Sequence, residues 1–326
     1  MEQWDTPRKL RTNGTIPEGA DTTGYWIAAT DQASHQILVM NPAEPDWNSE
    51  HAVVWSWRPE ESNGFADLLS AWGLPTDAKL RYNTVWGGQW MVITDSLGLA
   101  AIIPYPAGDI KKWGLSVGGN PHSAELLPNG NLAVAASTGG WVRVYTSSQS
   151  SASATYAEYK LPGAHGLVWD PQRQVLWAVG NDHLIALEIN GTDADPIIRE
   201  TVNVALPTRH GHDLQPVEGD SDRLWVSTGS RVYQFVKSSN TFDSDYPGQE
   251  AISRVGVKSV GNQPSGQVVQ TVPKTSGSLY EWTTDIVDLF MPDGKRIRTD
   301  AAFYKARILI PIIGNGKEPT HEHEFG

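Results

Sequence analysis

The chain contains no cysteine, which excludes disulfides, thiol nucleophiles and cysteine-ligated metals but leaves the compartment open. It also lacks any run near the roughly 18 consecutive apolar residues of a membrane-spanning helix, so no membrane partner is expected. Basic stripes are missing as well. With 25 Lys and Arg against 37 Asp and Glu, the formal net charge is −12, which argues against nucleic acid, whose phosphates require clustered cations. No Gly-x-Ser-x-Gly elbow, phosphate loop or dinucleotide fingerprint occurs, so serine-hydrolase and nucleotide chemistries lack support. Residues Met1 to Asp5 do not show the basic-then-apolar pattern of a signal peptide. The chain suits equally a cytoplasmic protein and a secreted one whose signal has been removed.

What is present is periodic. Five times a basic, proton-handling residue stands six positions before a proline: His122 before Pro128, His165 before Pro171, His210 before Pro216, Lys258 before Pro264 and Lys305 before Pro311. The prolines step by 43, 45, 48 and 47 residues. After them come short runs rich in Val, Ile, Trp and Tyr, such as Val175 to Val179 and Trp141 to Tyr145, separated by Gly-rich or polar hairpins. That pattern reads as β-meanders, and a period in the forties built from meanders is the mark of a β-propeller.

The ends of the repeat complement each other. Strands at Tyr25, Gln36 and Val53 have no first strand before them, whereas Phe303 to Pro311 is a first strand with nothing after it. Ring closure, with the C-terminal strand completing the N-terminal blade, removes the open edge. The expectation is therefore an all-β, six-bladed propeller over residues 25–313, with an N-terminal extension at 1–24 and a flexible tail at 314–326. A seventh blade, the alternative, would have to hide within residues 60–80 or 235–257.

The basic residue opens each first strand, the strand nearest the axis, so His122, His165, Lys258 and Lys305 are expected round one funnel. In the third of these repeats His210 holds the proline register, but the text Gly-His-Asp-Leu favours His212; two apart, they share one face of an extended segment. The second blade offers Arg81, Tyr82 or Asn83 at this place. Asn262 and Gln263 join the set from the blade of Lys258, and Arg307 from the strand of Lys305. Carboxylates look scarce there: Asp213 and Glu125 are nearest, and Glu125, three on from His122, falls on the opposite face of a regular strand. Paired carboxylates of the glycosidase kind are thus not evident. The ensemble suits an anionic ligand and abstraction of a proton beside its carboxylate. His165 or His212 would be the base, with His122 beside them and Tyr82 returning a proton to the leaving oxygen. Arg81, Asn83, His210, Lys258, Asn262, Gln263, Lys305 and Arg307 would bind the substrate, and Trp86, Trp90 and Trp169 are candidates to stack on sugar rings.

The starts Pro-His-Ser-Ala-Glu-Leu-Leu-Pro, Ala-His-Gly-Leu-Val-Trp-Asp-Pro and Gly-His-Asp-Leu-Gln-Pro resemble an uncharacterised propeller family of fungi and bacteria, over nearly the whole chain. More loosely, fold and site composition resemble the β-propeller polysaccharide lyases, of the oligogalacturonate lyase and rhamnose-glucuronate lyase type. The second resemblance implies β-elimination on a uronate-containing glycan by a monomer whose partner is an acidic oligo- or polysaccharide. Oligogalacturonate lyases hold a metal with three His and a Gln, which here would mean His122, His165 and His212 with Gln263 around Mn or Zn. Calcium fits less well for want of axial carboxylates, and no cofactor is demanded by the residues themselves. The competing class is a non-catalytic propeller that binds acidic sugars or peptides on its top face.

Overall fold

The computed structural model describes residues 25–310; the expected N-terminal extension and C-terminal tail lie outside the described residues. Strands β1 (Ile27–Asp31), β2 (Gln36–Met40) and β3 (Val53–Trp57) form one sheet with β24 (Phe303–Ile308), in the order β24-β1-β2-β3. The other sheets are simple meanders. They comprise β4 (Pro75–Tyr82) with β5 to β7 (Gln89–Asp95, Leu99–Tyr105, Trp113–Ser116), β8 (Pro121–Leu126) with β9 to β11 (Leu132–Ala136, Trp141–Tyr145, Tyr156–Lys160), and β12 (Gly166–Asp170) with β13 to β15 (Val175–Val179, His183–Gly191, Pro196–Ala205). Two more follow, β16 (Asp213–Val217) with β17 to β19 (Asp220–Ser227, Val232–Val236, Thr241–Asp243), and β20 (Ser259–Asn262) with β21 to β23 (Val268–Thr271, Ile286–Phe290, Gly294–Ile297). The protein is a six-bladed β-propeller closed by its last strand, with Ala28 opposite Arg307 and Ala29 opposite Ala306.

Among the described residues no seventh blade is found. Residues 60–80 hold two single 3-10 turns, Glu61–Asn63 and Leu69–Ala71, before β4 begins, and residues 235–257 hold β19 and one helical turn, α1 (Gln249–Ile252). Among the described residues no helix is long and apolar enough to cross a membrane.

The core is a set of six clusters, each between two neighbouring blades. Because both faces of a blade are covered, β9 and β13 are buried at every position, and their sequences run apolar rather than alternating. Large aromatics pack within these clusters: Trp47, Trp113 and Trp177 are almost wholly buried. Hydroxyls on the first or second strand of one blade reach the start of the next blade's inner strand. Thr76 Oγ1 donates to Pro121 O (2.7 Å), Ser227 Oγ to Val257 O (3.1 Å) and Thr271 Oγ1 to Tyr304 O (3.0 Å). Each bond fixes the start of the next blade's first strand, where the candidate site lies.

Candidate active site at one mouth of the axis

Every inner strand begins with a β-bulge, in which two residues oppose one and the extra side chain is re-aimed. The register jumps from Pro75 to Asp77, from Pro121 to Ser123 and between Phe303 and Ala306. In the other three blades the amides of His165, His212 and Lys258 bond Val179 O, Ser227 O and Thr271 O, the residues that also oppose Gly166, Asp213 and Ser259. The equivalent positions are therefore Thr76, His122, His165, His212, Lys258 and Tyr304. Five of these six side chains meet in a closed ring.

The ring can be followed contact by contact. Tyr304 Oη lies 2.9 Å from His122 Nδ1. The imidazole centres of His122 and His165 are 4.4 Å apart, and those of His165 and His212 are 4.7 Å apart. His212 Nε2 lies 3.1 Å from Lys258 Nζ, which stands 6.0 Å from the Tyr304 ring centre and closes the circuit. Thr76 stays out, its hydroxyl taken by Pro121 O and Thr94. His122 and Tyr304 are buried, whereas His165, His212 and Lys258 are half-buried and form the accessible side.

Beneath the ring lies a layer of paired charge. Arg307 grips both oxygens of Asp213 at 2.6 Å and reaches Asp77 at 2.8 Å. Lys305 donates to His122 O (3.0 Å) and lies 3.5 Å from Asp213. Lys79 donates to Ser123 (2.9 Å), Glu125 (3.3 Å) and Leu167 O (2.6 Å), and Arg81 to Glu125 (2.8 Å). Four cations thus face three carboxylates, leaving the axis of an acidic protein locally positive.

Electrostatics separates the two layers. Burial, then repulsion from neighbouring imidazoles and lysines, pushes His122 and His212 well below the ordinary imidazole range. Burial likewise lowers His165 to about 4, although its bond to Gly163 O opposes the shift. Burial and Lys305 lower Lys258 to about 8, and burial raises Tyr304. In the lower layer burial pushes the carboxyls of Asp77 and Asp213 up, but Arg307 and Lys305 outweigh it and hold both below the usual range.

Hydrogen bonds fix the tautomers. His165 Nδ1 lies 2.7 Å from Gly163 O, an acceptor, so it carries the proton and leaves Nε2 as a free lone pair. The Lys258 ammonium donates to His212 Nε2, so the proton of His212 sits on Nδ1, a buried atom with no protein partner. Tyr304, held protonated, donates to His122 Nδ1.

The structure brings together His122, His165, His212 and Lys258 as the sequence register predicts, and of the pair left open it places His212 in the ring while His210 is exposed at φ 64°. Other expectations are corrected. Lys305 is not at the mouth; the bulge puts Tyr304 there and turns Lys305 into the buried layer with Arg307. Arg81 is bound to Glu125 towards the far end of β4, half-buried and away from the mouth. Glu125 reaches the axis after all, because the bulge at His122 rephases the strand. Tyr82 sits half-buried at the opposite end of β4, and Asn83 donates to Leu127 O (3.4 Å) and Pro128 O (3.3 Å) there. Asn262 bonds Trp225 and Glu218, and Gln263 bonds Gln267, at the far end of β20 from Lys258. Gln263 is therefore remote from the histidines, and among the described residues no group of three or more His, Asp or Glu is placed to hold a metal ion. Trp86 and Trp90 follow the far end of β4, beneath Lys112, and Trp169 packs into a blade interface. Tyr304 was legible as the residue before Lys305, but only the bulge reveals its place.

Fold and ring define the class: a closed six-bladed β-propeller with a titratable mouth. Within it, the chain belongs to a family of unknown function (DUF6528), whose model matches residues 15–311. None of the curated proteins matches its sequence. A protein of unknown function from Bacteroides caccae is similar in structure, with a TM-score of 0.52, 11% identity and coverage of 86% of this chain and 94% of that one. A functionally unknown protein from Desulfotomaculum acetoxidans gives 0.51 and 9%, covering 87% and 80%. The virginiamycin B lyase of Staphylococcus aureus gives 0.43 and 13%, covering 73% and 70%. At these identities the likeness is one of fold alone.

Proposed function

We propose that the mouth binds a uronate-containing oligo- or polysaccharide and cleaves it by β-elimination, with His165 as the base. The observation that carries this reading is the closed ring of three imidazoles, a lysine and a tyrosine, one from each of five blades, over a net-positive layer. A carboxylate seated against Lys258 loses part of its charge to the ammonium, which acidifies the adjacent C–H. His165 Nε2 takes that proton. The C–H electron pair becomes the new carbon–carbon double bond, the neighbouring C–O bond breaks, and the leaving oxygen is protonated by water or through the Tyr304–His122 pair.

An imidazole lowered to about 4 is a weak base while the mouth is empty. A carboxylate beside it favours the imidazolium and raises its basicity, so the substrate itself readies the base. Trapping of the anion and proton transfer are thereby coupled.

A panel of uronate polysaccharides, followed for the unsaturated, ultraviolet-absorbing product, tests the reading. Product formed by the wild type and lost in His165→Ala supports it. If acidic sugars bind without product, and His165→Ala and His212→Ala bind them equally well, the lyase reading fails and a binding module replaces it.

A further inference from the structure

The blade of β20–β23 departs from the others on the mouth side. In an antiparallel meander the turn between second and third strands lies at the same end as the start of the first. That turn spans residues 180–182 in the β12–β15 blade but residues 272–285 here. The long loop carries Tyr280 and Trp282, stacked with ring centres 5.2 Å apart and an interplanar angle of 1°. Trp282 is nonetheless 39% exposed.

The pair is mounted rigidly. Thr284 bridges to Phe303 in both directions (3.0 and 2.7 Å), and Thr283 and Ser278 close the loop on itself. Trp282 Nε1 donates to Gln32 Oε1 at 3.0 Å. Gln32 is buried between two inner strands: its backbone amide bonds Ala302 O (2.9 Å) and its side chain Pro75 O (3.1 Å). Those carbonyls precede Tyr304 by two residues and Thr76 by one. The indole is therefore anchored by its edge at the rim of the ring, beside the one blade that gives the ring no member, with part of its surface toward solvent.

We propose that the Tyr280–Trp282 stack is a sugar-binding platform continuous with the mouth, so that the ligand is an oligosaccharide whose second residue packs its apolar face on Trp282. This deepens the uronate reading and rests on it for the first residue. Glu281, exposed, stands between the two aromatics in the chain, and Lys274 is committed to Asp285 at 2.9 Å. Local charge thus disfavours a second carboxylate, and the stacked residue is a neutral sugar.

The test measures binding by calorimetry for a free uronate, acidic oligosaccharides with a neutral neighbouring residue, and neutral oligosaccharides. Wild type, Trp282→Ala, Trp282→Phe and His165→Ala are compared, with thermal unfolding as the check on folding. Trp282→Ala is expected to weaken the mixed oligosaccharide roughly 5- to 10-fold, the scale of one aromatic packing contact, and to leave the free uronate unchanged; Trp282→Phe, which keeps a ring face, restores most of the loss. Equal oligosaccharide binding by a folded Trp282→Ala overturns the platform and leaves the ring reading standing. Trp282-dependent binding that ignores uronate content sinks the ring reading and keeps the platform. If no sugar binds the wild type, both fall.

Discussion

Tyr304 and Lys305 are neighbours in the chain, as are His212 and Asp213, yet each pair is split between two layers of the axis that handle charge in opposite ways. Below, every ion has a partner: Arg307 spans Asp213 and Asp77, and Lys79 sits among Asp77, Ser123 and Glu125. Above, the groups are driven towards neutrality by burial and by one another, and His212 Nδ1 has no protein partner at all. A buried ion that is fully paired closes the axis and holds blades in register. Groups held near neutrality with lone pairs to spare are the ones suited to taking up an anion and a proton.

The sharpest way to break this contrast is to remove one group from each layer. His165→Ala is expected to lower turnover on the cleaved glycan by about 100- to 10,000-fold, the usual yield of general acid–base catalysis, with little change in unfolding. Asp213→Ala should do the reverse. It removes a buried carboxylate partner of Arg307 and Lys305 and leaves Asp77 alone to face them, and loss of one partner of a buried pair costs about 3–5 kcal/mol, measurable as a lower urea midpoint at constant slope. If His165→Ala unfolds the protein as readily as Asp213→Ala, the layers do not differ as argued.

Acid titration sharpens the same point. His165 is lowered from 6.5 to about 4 in the folded state, so between those values the unfolded chain binds the more protons. Its contribution to stability is then fully present above about pH 6.5 and is lost as the pH falls towards 4, by at most about 3 kcal/mol. Subtracting the unfolding profile of His165→Gln from that of the wild type should isolate this loss; a flat difference across the window would mean that the imidazole is not desolvated. The smallest effect belongs to Tyr304→Phe. It removes one hydrogen bond to His122, worth about 1 kcal/mol, and should leave blade closure intact as judged by the cooperativity of unfolding.

Much of the fold was legible because propeller repeats repeat their turns. The prolines gave the period, and the mismatch between the two chain ends gave ring closure, which the pairing of β24 with β1 realises. The site was legible only where repeat and bulge keep step. His122, His165 and Lys258 stand at both the proline register and the bulge. In the third repeat Pro216 lies inside its strand, whereas Pro128, Pro171 and Pro264 follow the ends of β8, β12 and β20, so the proline register points to His210 while the bulge holds His212. In the last repeat a one-residue offset hides Tyr304 behind Lys305, since sequence periodicity cannot distinguish an extra residue in a bulge from one in a loop. Blade two carries no cation at the bulge, only Thr76, so reading for charge led five residues too far, to Arg81. Tyr280 and Trp282 lie in a loop with no repeat equivalent, and the one available signal was its excess length.

The most direct test of the contrast is the protonation of the three ring imidazoles, read by long-range nitrogen–proton correlation NMR at neutral pH before and after an acidic oligosaccharide is added. His122, His165 and His212 should be neutral in the free protein, with His165 protonated on Nδ1, and His165 should shift towards imidazolium when the carboxylate binds. Charged imidazoles in the free protein, or a His165 whose signals ignore a bound acidic sugar, would contradict it.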